Sequence, residues 1–117
     1  MDRVRSDLVR GDVWEAEFDP IRGREQAGRR PAVILSSNIL NQGSGGLVLA
    51  IPLTSRDRQI RLHVPVQPPE GGLTTRSFVM CEQLRVCAVE RFLRRRGSLS
   101  DATIREVEER VRILLDL

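Results

Sequence analysis

Short apolar or alternating segments follow one another along most of this chain, and this pattern strongly limits the folds open to it. Segments of this kind are typical of β-strands that bury one face or both. In Asp12–Phe18, the apolar side chains of Trp14 and Ala16 alternate with glutamates, which predicts a half-buried strand. Further strands are predicted at Pro31–Ser37, Leu47–Leu53, Ile60–Val66 and Phe78–Cys81. The last of these is predicted to continue to Val86 beyond a bulge or bend near Glu82. The segment Asn38–Gly46 is predicted to be a loop.

One helical pattern stands at the C-terminal end of the chain. Ser100 is a suitable N-cap, and Asp101 follows it at the positive end of the helix dipole. An apolar stripe with helical spacing predicts that this helix covers the core. Several short strands and one long helix predict a single domain over residues 1–117, mainly β with α, as a small barrel or strongly curved sheet capped by the helix. The stripe consists of Ile104, Val107, Val111, Leu114 and Leu115.

The charge of the chain is carried in an unusual way. All 19 basic side chains are arginines, and the formal net charge is +3. Planar guanidinium groups suit phosphate, although a compositional bias explains the missing lysine at least as well. Aromatic residues are only 3% of the chain and tyrosine is absent, which largely excludes a site where bases stack on aromatic rings. An acidic partner is therefore permitted by the charge but not required.

Metal and cofactor sites are not predicted. Cys81, Cys87 and the single histidine, His63, lack the spacing of metal ligands. Both cysteines are interpreted as free thiols of a reducing compartment. The N-terminal residues mix charges of both signs without an apolar run, and no segment has the length needed to cross a membrane. We therefore expect a cytoplasmic protein.

The most charged segment, Arg22–Pro31, combines four arginines with two glycines and one glutamate. We predict a basic loop that leads into a buried strand, because Pro31 favours an extended conformation at Arg30. Such a loop can hold a phosphate, but a solvated surface loop is the alternative, since the segment has no phosphate-loop pattern. A second basic run, Arg94–Arg96, either extends this surface or forms a solvated turn, and we prefer the turn.

Several short motifs stand in a characteristic order and spacing from Gly11 to Leu115. They are Gly11-Asp12-Val13-Trp14, Asp19-Pro20, Glu25-Gln26-Ala27-Gly28-Arg29-Arg30-Pro31, Pro52-Leu53-Thr54-Ser55, Gly72-Leu73 and Glu82-Gln83-Leu84-Arg85. As an ordered set they resemble the MazF/PemK toxins of type II toxin–antitoxin systems. The resemblance implies an SH3-like barrel of the CcdB/MazF type, capped by a C-terminal helix.

The resemblance also implies a function and partners. The implied function is that of a metal-independent endoribonuclease that cleaves single-stranded mRNA at short sequence motifs by 2′-hydroxyl attack and so inhibits translation and growth. The implied partners are a second copy of the chain, in a homodimer, and a cognate MazE-like antitoxin. Two alternatives remain: a topoisomerase poison resembling CcdB, and a toxin relative that serves only as an antitoxin-bound regulator. A CcdB-like poison acts through its C-terminal residues, and this chain has no tryptophan near its end, which argues against that alternative.

Carried over residue by residue, the resemblance assigns catalysis to Arg30, Thr54 and Glu25. Arg30 can donate two hydrogen bonds to a phosphate without losing its charge; its alternative role is an ion pair with Glu25. Thr54 can orient the phosphate or relay a proton, or it merely caps the end of a strand. Glu25 is the candidate base that accepts the 2′-hydroxyl proton, or a partner that keeps the arginines in place.

The remaining candidate site residues are polar side chains that could contact RNA. His63 is placed by alternation on the outer face of its strand, where it lines a groove or faces solvent. Arg29 occupies a position where some relatives carry histidine, so a histidine-based mechanism is in doubt there. The full set of predicted RNA contacts is Arg29, Gln26, Arg56, Arg58, His63, Arg76, Ser77 and Gln83.

Overall fold

The strands predicted from the sequence pair into one curved antiparallel sheet. A computed structural model describes residues 5–18 and 28–117, and in these residues the sheet has seven strands. The strands are β1 (Asp12–Phe18), β2 (Gly28–Ile34), β3 (Leu47–Thr54), β4 (His63–Val66), β5 (Ser77–Met80), β6 (Arg85–Ala88) and β7 (Phe92–Ser98). The helices are a single turn, α1 (Asn38–Asn41), and the long C-terminal α2 (Asp101–Leu115).

The apolar strand β3 lies at the centre of the sheet, as its continuous apolar sequence predicts. The strand order is β4-β5-β3-β2-β1-β7, and β6 also pairs with β3. Both β5 and β6 can pair with β3 because the 3₁₀ turn Cys81–Gln83 bends the chain between them. The predicted bend near Glu82 is thus confirmed. Further 3₁₀ turns are formed by Glu70–Gly72 and Val89–Arg91.

The curved sheet buries apolar side chains on both of its faces. In β1, alternation sends Val13 to one core cluster and Trp14 and Ala16 to the other. The first core cluster contains Val13, Val33, Ile51, Leu53, Val64, Val66, Leu73, Val79, Cys81, Leu99 and Val107. The second contains Leu8, Trp14, Ala16, Ala32, Ile34, Val48, Ala50, Cys87, Val89 and Phe92.

Helix α2 covers the first core cluster and begins as predicted. The Ser100 hydroxyl accepts a hydrogen bond from the backbone N–H of Thr103 at 3.1 Å, which confirms the N-cap. Val107 is fully buried. The predicted apolar stripe is wrong at its end, where Leu114 and Leu115 are 37% and 52% exposed, because the helix continues beyond the residues that pack on the core.

Three other predicted boundaries are wrong. Strand β2 begins at Gly28 and not at Pro31, so the end of the predicted basic loop is extended strand paired with β1. The predicted strand Ile60–Val66 shrinks to β4, and α1 occupies part of the predicted loop Asn38–Gly46. In the first case the partner strand extends the ladder beyond what the local sequence indicates.

The predicted turn at Arg94–Arg96 is also wrong, because these residues belong to β7 and pair with β1. Arg95 Nε donates to Asp12 Oδ2 at 2.9 Å. This hydrogen bond, together with the nearby negative charge, raises the pKa of the Arg95 guanidinium. Arg96 Nη1 donates to Glu15 Oε1, also at 2.9 Å. Asp12 and Glu15 on β1 thus pair with two of the three arginines of β7.

His63 does not lie on an exposed outer face as predicted. The residue is only 6% exposed, and its Nε2 lies 3.0 Å from Glu82 Oε2. The 3₁₀ turn Cys81–Gln83 packs against β4 and brings the Glu82 carboxylate to the imidazole. The neighbouring turn therefore encloses a side chain that strand alternation alone would leave in solvent.

Candidate functional site

A groove of about 710 Å³ opens where β2 begins and β3 ends. It adjoins the first core cluster, since the core residues Leu53 and Leu73 also line it. Its walls come from three strands at the sheet end, from β7, and from the segments that follow β3 and precede β5. The lining residues are Glu15, Arg29, Arg30, Pro31, Leu53, Thr54, Ser55, Arg56, Arg58, Leu73, Thr74, Thr75, Ser77 and Arg96.

Strand pairing brings the two central candidate residues together. Ala32 of β2 lies opposite Pro52 of β3 in an antiparallel ladder. Arg30 and Thr54 lie two residues beyond this last pair, one on each strand, and both line the groove. Thr54 itself pairs with Phe78 of β5. The two candidate residues therefore stand on neighbouring strands at the same end of the sheet and border one groove.

The hydroxyl of Thr54 is held in place at the end of β3. Its Oγ1 accepts a hydrogen bond from the backbone N–H of Arg56 at 3.2 Å. A hydroxyl has one proton and two acceptor lone pairs, so the proton of Thr54 stays available for a ligand. The alternative role of Thr54, capping at the strand end, is therefore compatible with hydrogen-bond donation to a ligand.

Positive charge dominates the groove. Five arginines line it, and Glu15 is the single carboxylate among the described lining residues. Glu15 and Arg96 were not recognised as site residues in the sequence. Alternation does place Glu15 on the face of β1 opposite Trp14, but nothing local indicates that Arg96 belongs to a neighbouring strand. The arginines are Arg29, Arg30, Arg56, Arg58 and Arg96.

The other predicted contacts divide into three groups. Ser77 lines the groove with Arg29, Arg56 and Arg58, but its hydroxyl already donates to the carbonyl oxygen of Thr75 at 2.9 Å. Three predicted contacts, Arg76, His63 and Gln83, are not among the described lining residues. The Arg76 guanidinium lies over the Phe78 ring, 5.0 Å from its centroid, and His63 is buried. The predicted Glu25 and Gln26 lie outside the described residues.

Cysteine chemistry is disfavoured near this site. Both cysteines are buried and form no disulfide. Burial raises the pKa of the Cys81 thiol to about 12, which keeps it protonated and poorly nucleophilic.

In residues 5–18 and 28–117, no three His, Cys, Asp or Glu side chains are grouped in a way that could hold a metal ion. No helix in the same residues has the length and apolar character to cross a membrane.

Residues 9–115 match the family described as PemK-like, MazF-like toxin of type II toxin–antitoxin system. The chain belongs to this family. It is 32% identical over 115 residues to Endoribonuclease MazF9 of Mycobacterium tuberculosis, an alignment that covers 94% of this chain and 98% of that protein. The predicted family and toxin class are therefore confirmed.

The fold agrees with solved structures of the same family. MazF from Deinococcus radiodurans superposes with a TM-score of 0.78 at 28% identity, covering 99% of this chain and 100% of that chain. A MazE–MazF structure from the same organism gives a TM-score of 0.79 at 28% identity and covers 99% of both chains. The predicted mainly β, barrel-like fold with a C-terminal helix is confirmed, although the sheet does not close among the described strands.

Proposed function

We propose that this toxin is a metal-independent, sequence-specific endoribonuclease that cleaves single-stranded mRNA and so inhibits translation and growth. The observation that carries this proposal is that Arg30 and Thr54, on neighbouring strands, line one groove together with four further arginines. Membership of the toxin family and the relative named Endoribonuclease MazF9 support the same activity.

Cleavage without a metal requires three tasks at one phosphate. The 2′-oxygen attacks the adjacent phosphorus and loses its proton, the bond to the 5′-oxygen breaks, and the leaving oxygen takes up a proton. Arg30 binds the non-bridging phosphate oxygens through its fork and stabilises the charge that builds on them. Thr54 orients the same phosphate through its hydroxyl proton. Glu25 is the proposed base, predicted from the sequence motif.

The surrounding side chains bind the RNA backbone. Arg29, Arg56 and Arg58 line the same groove as Arg30 and Thr54 and extend its positive surface. Ser77 can only accept a hydrogen bond from RNA, because its proton is donated to Thr75. Charge therefore supplies most of the binding energy, which makes binding strongly dependent on salt.

The proposed partners are a MazE-like antitoxin and a second copy of this chain. The antitoxin is supported by family membership and by the related MazE–MazF structure. The homodimer is supported by the sequence resemblance, and sedimentation velocity of the purified protein tests it. We place the activity in the cytoplasm, where the proposed substrate is found.

The decisive experiment incubates the pure protein with long RNAs of varied sequence in the presence of a metal chelator. We expect discrete fragments that end in a 2′,3′-cyclic phosphate, with a 5′-hydroxyl on the downstream piece. RNA that stays intact in every sequence context would contradict the proposal.

The variant Arg30→Ala tests the central assignment. Removing one donor to a developing negative charge typically costs 10²–10³-fold in rate, so we expect cleavage to fall at least about 100-fold while the circular dichroism spectrum is unchanged. Arg30→Lys keeps the charge but loses the fork, and an intermediate rate is expected. The matched control is Arg105→Ala, an exposed arginine on α2. Full activity of Arg30→Ala would remove Arg30 from the mechanism.

A further inference from the structure

A carboxylate inside an arginine-lined groove needs an explanation of its own. Glu15 lines the groove with five arginines, and its side chain is 21% exposed. A surface built only for phosphates gains nothing from Glu15, because a carboxylate repels phosphate oxygens. Glu15 forms an ion pair with Arg96, and because it also borders the groove, its carboxylate can meet a part of the RNA other than phosphate.

Arg96 holds the Glu15 carboxylate in one place. Its Nη1 donates to Glu15 Oε1 at 2.9 Å, and its Nη2 donates to the carbonyl oxygen of Gly72 at 3.2 Å. The backbones of Gly72 and Arg96 also approach closely, since a Cβ added to Gly72 would lie 2.0 Å from the Arg96 carbonyl oxygen. Both ends of the guanidinium are engaged within the protein, so Arg96 serves to position Glu15.

The immediate surroundings of Glu15 suit a nucleobase. Pro31 lies directly opposite Glu15 on the neighbouring strand, is only partly buried and also lines the groove. A flat base can rest on the Pro31 ring with its polar edge toward the carboxylate. Each carboxylate oxygen accepts two hydrogen bonds, so the ion pair with Arg96 leaves acceptor positions free.

We propose that Glu15 selects a guanine in the RNA by accepting hydrogen bonds from its N1–H and N2–H groups, with Arg96 as the positioning residue. The inference rests on the proposed endoribonuclease function and adds a determinant of base specificity. Guanine alone among the four bases presents two adjacent N–H donors on its Watson–Crick edge, which is the edge that proteins read in single-stranded RNA. Uracil, adenine and cytosine each direct an acceptor at the same carboxylate.

Inosine provides a test that uses the unaltered protein. The ends of the RNA fragments are sequenced to find the cleavage motif, which is expected to contain a guanine at one fixed position. That guanine is then replaced by inosine, which lacks only the N2 amino group. Loss of one arm of a bidentate contact is expected to lower kcat/KM by roughly 5- to 150-fold, the range for discrimination by such pairs.

Variants assign the effect to Glu15. Glu15→Gln replaces one of the two acceptor oxygens with an NH2 donor, so only one of the two guanine N–H groups keeps an acceptor, and the ratio of guanine to inosine cleavage is expected to fall toward one. Arg96→Ala lowers the same ratio and Arg96→Lys restores part of it, an effect that a purely structural role would not produce. The control is Glu17→Gln, on the same strand but exposed and absent from the groove wall; it keeps the unaltered ratio.

The possible negative results of these experiments rule out different claims. No cleavage by the unaltered protein overturns the proposed function and this inference with it. Cleavage at a motif without a fixed guanine, or equal cleavage of guanine and inosine substrates, overturns the inference alone. Glu15→Gln protein that discriminates inosine as strongly as the unaltered protein also overturns it.

Discussion

Salt concentration is the perturbation to which the groove should respond most directly. Arg96 is paired with Glu15, whereas the other four groove arginines have no carboxylate partner among the described residues. For single-stranded nucleic acid, the logarithm of affinity falls with the logarithm of salt concentration by about 0.7 for each phosphate neutralised. Four arginines predict a slope of about −3, so affinity falls about 50-fold between 50 and 200 mM salt. The four are Arg29, Arg30, Arg56 and Arg58.

The assay is fluorescence anisotropy with a labelled single-stranded oligonucleotide. The oligonucleotide carries 2′-deoxyribose throughout, so that no nucleophile is present and binding is measured without cleavage. Titrations at several salt concentrations give the slope for the unaltered protein. The variant Arg58→Ala removes one exposed groove arginine and is expected to reduce the slope by about 0.7.

The control for this measurement is an arginine remote from the groove. Arg105 is exposed on α2, and Arg105→Ala changes net charge by the same amount as Arg58→Ala. We expect its slope to equal that of the unaltered protein. A slope near zero, or equal changes in the two variants, would refute the conclusion that groove arginines neutralise individual phosphates.

Three further predictions concern other parts of the molecule. Thr54→Val removes the hydroxyl and should lower kcat at least about tenfold, whereas Thr54→Ser should retain most activity in the same RNA cleavage assay. Val107→Ala leaves a cavity beneath α2 and should cost about 2 kcal/mol in urea unfolding, while Ile113→Ala, at a 64% exposed position, should cost under about 0.5 kcal/mol. Burial raises the pKa of Cys81 to about 12, so iodoacetamide at pH 8 should alkylate this thiol far more slowly in folded than in urea-unfolded protein. Mass spectrometry measures the two alkylation rates, and equal rates would contradict this prediction.

Elements with a strong local pattern were predictable from the sequence. Strand β1 has the predicted bounds because polar and apolar residues alternate there, and α2 begins where Ser100 supplies a cap. Strand β7 was missed because Arg94–Arg96 has no apolar alternation. Those residues become a strand through their pairing with β1, and the ion pairs with Asp12 and Glu15 are formed only in that arrangement.

The site was predictable only in part, for a similar reason. The family resemblance indicated Arg30 and Thr54, but their proximity depends on the register between β2 and β3, which neither segment specifies alone. Glu15 and Arg96 are 81 residues apart in sequence. No local pattern could connect them, whereas the sheet makes them neighbours.

One part of the groove wall is built on the same strand faces as the first core cluster. Val13 and Glu15 lie on one face of β1, and Val33 and Pro31 lie on one face of β2, because side chains alternate along each strand. Along both strands, apolar residues that pack in the core give way to residues that line the groove. The strand pairing that fixes the core therefore also fixes Glu15 and Pro31, so the proposed contact of Glu15 with a base is made from a paired strand and not from a loop. Such rigidity is what selection between a guanine and an inosine demands, since the two bases differ by a single amino group.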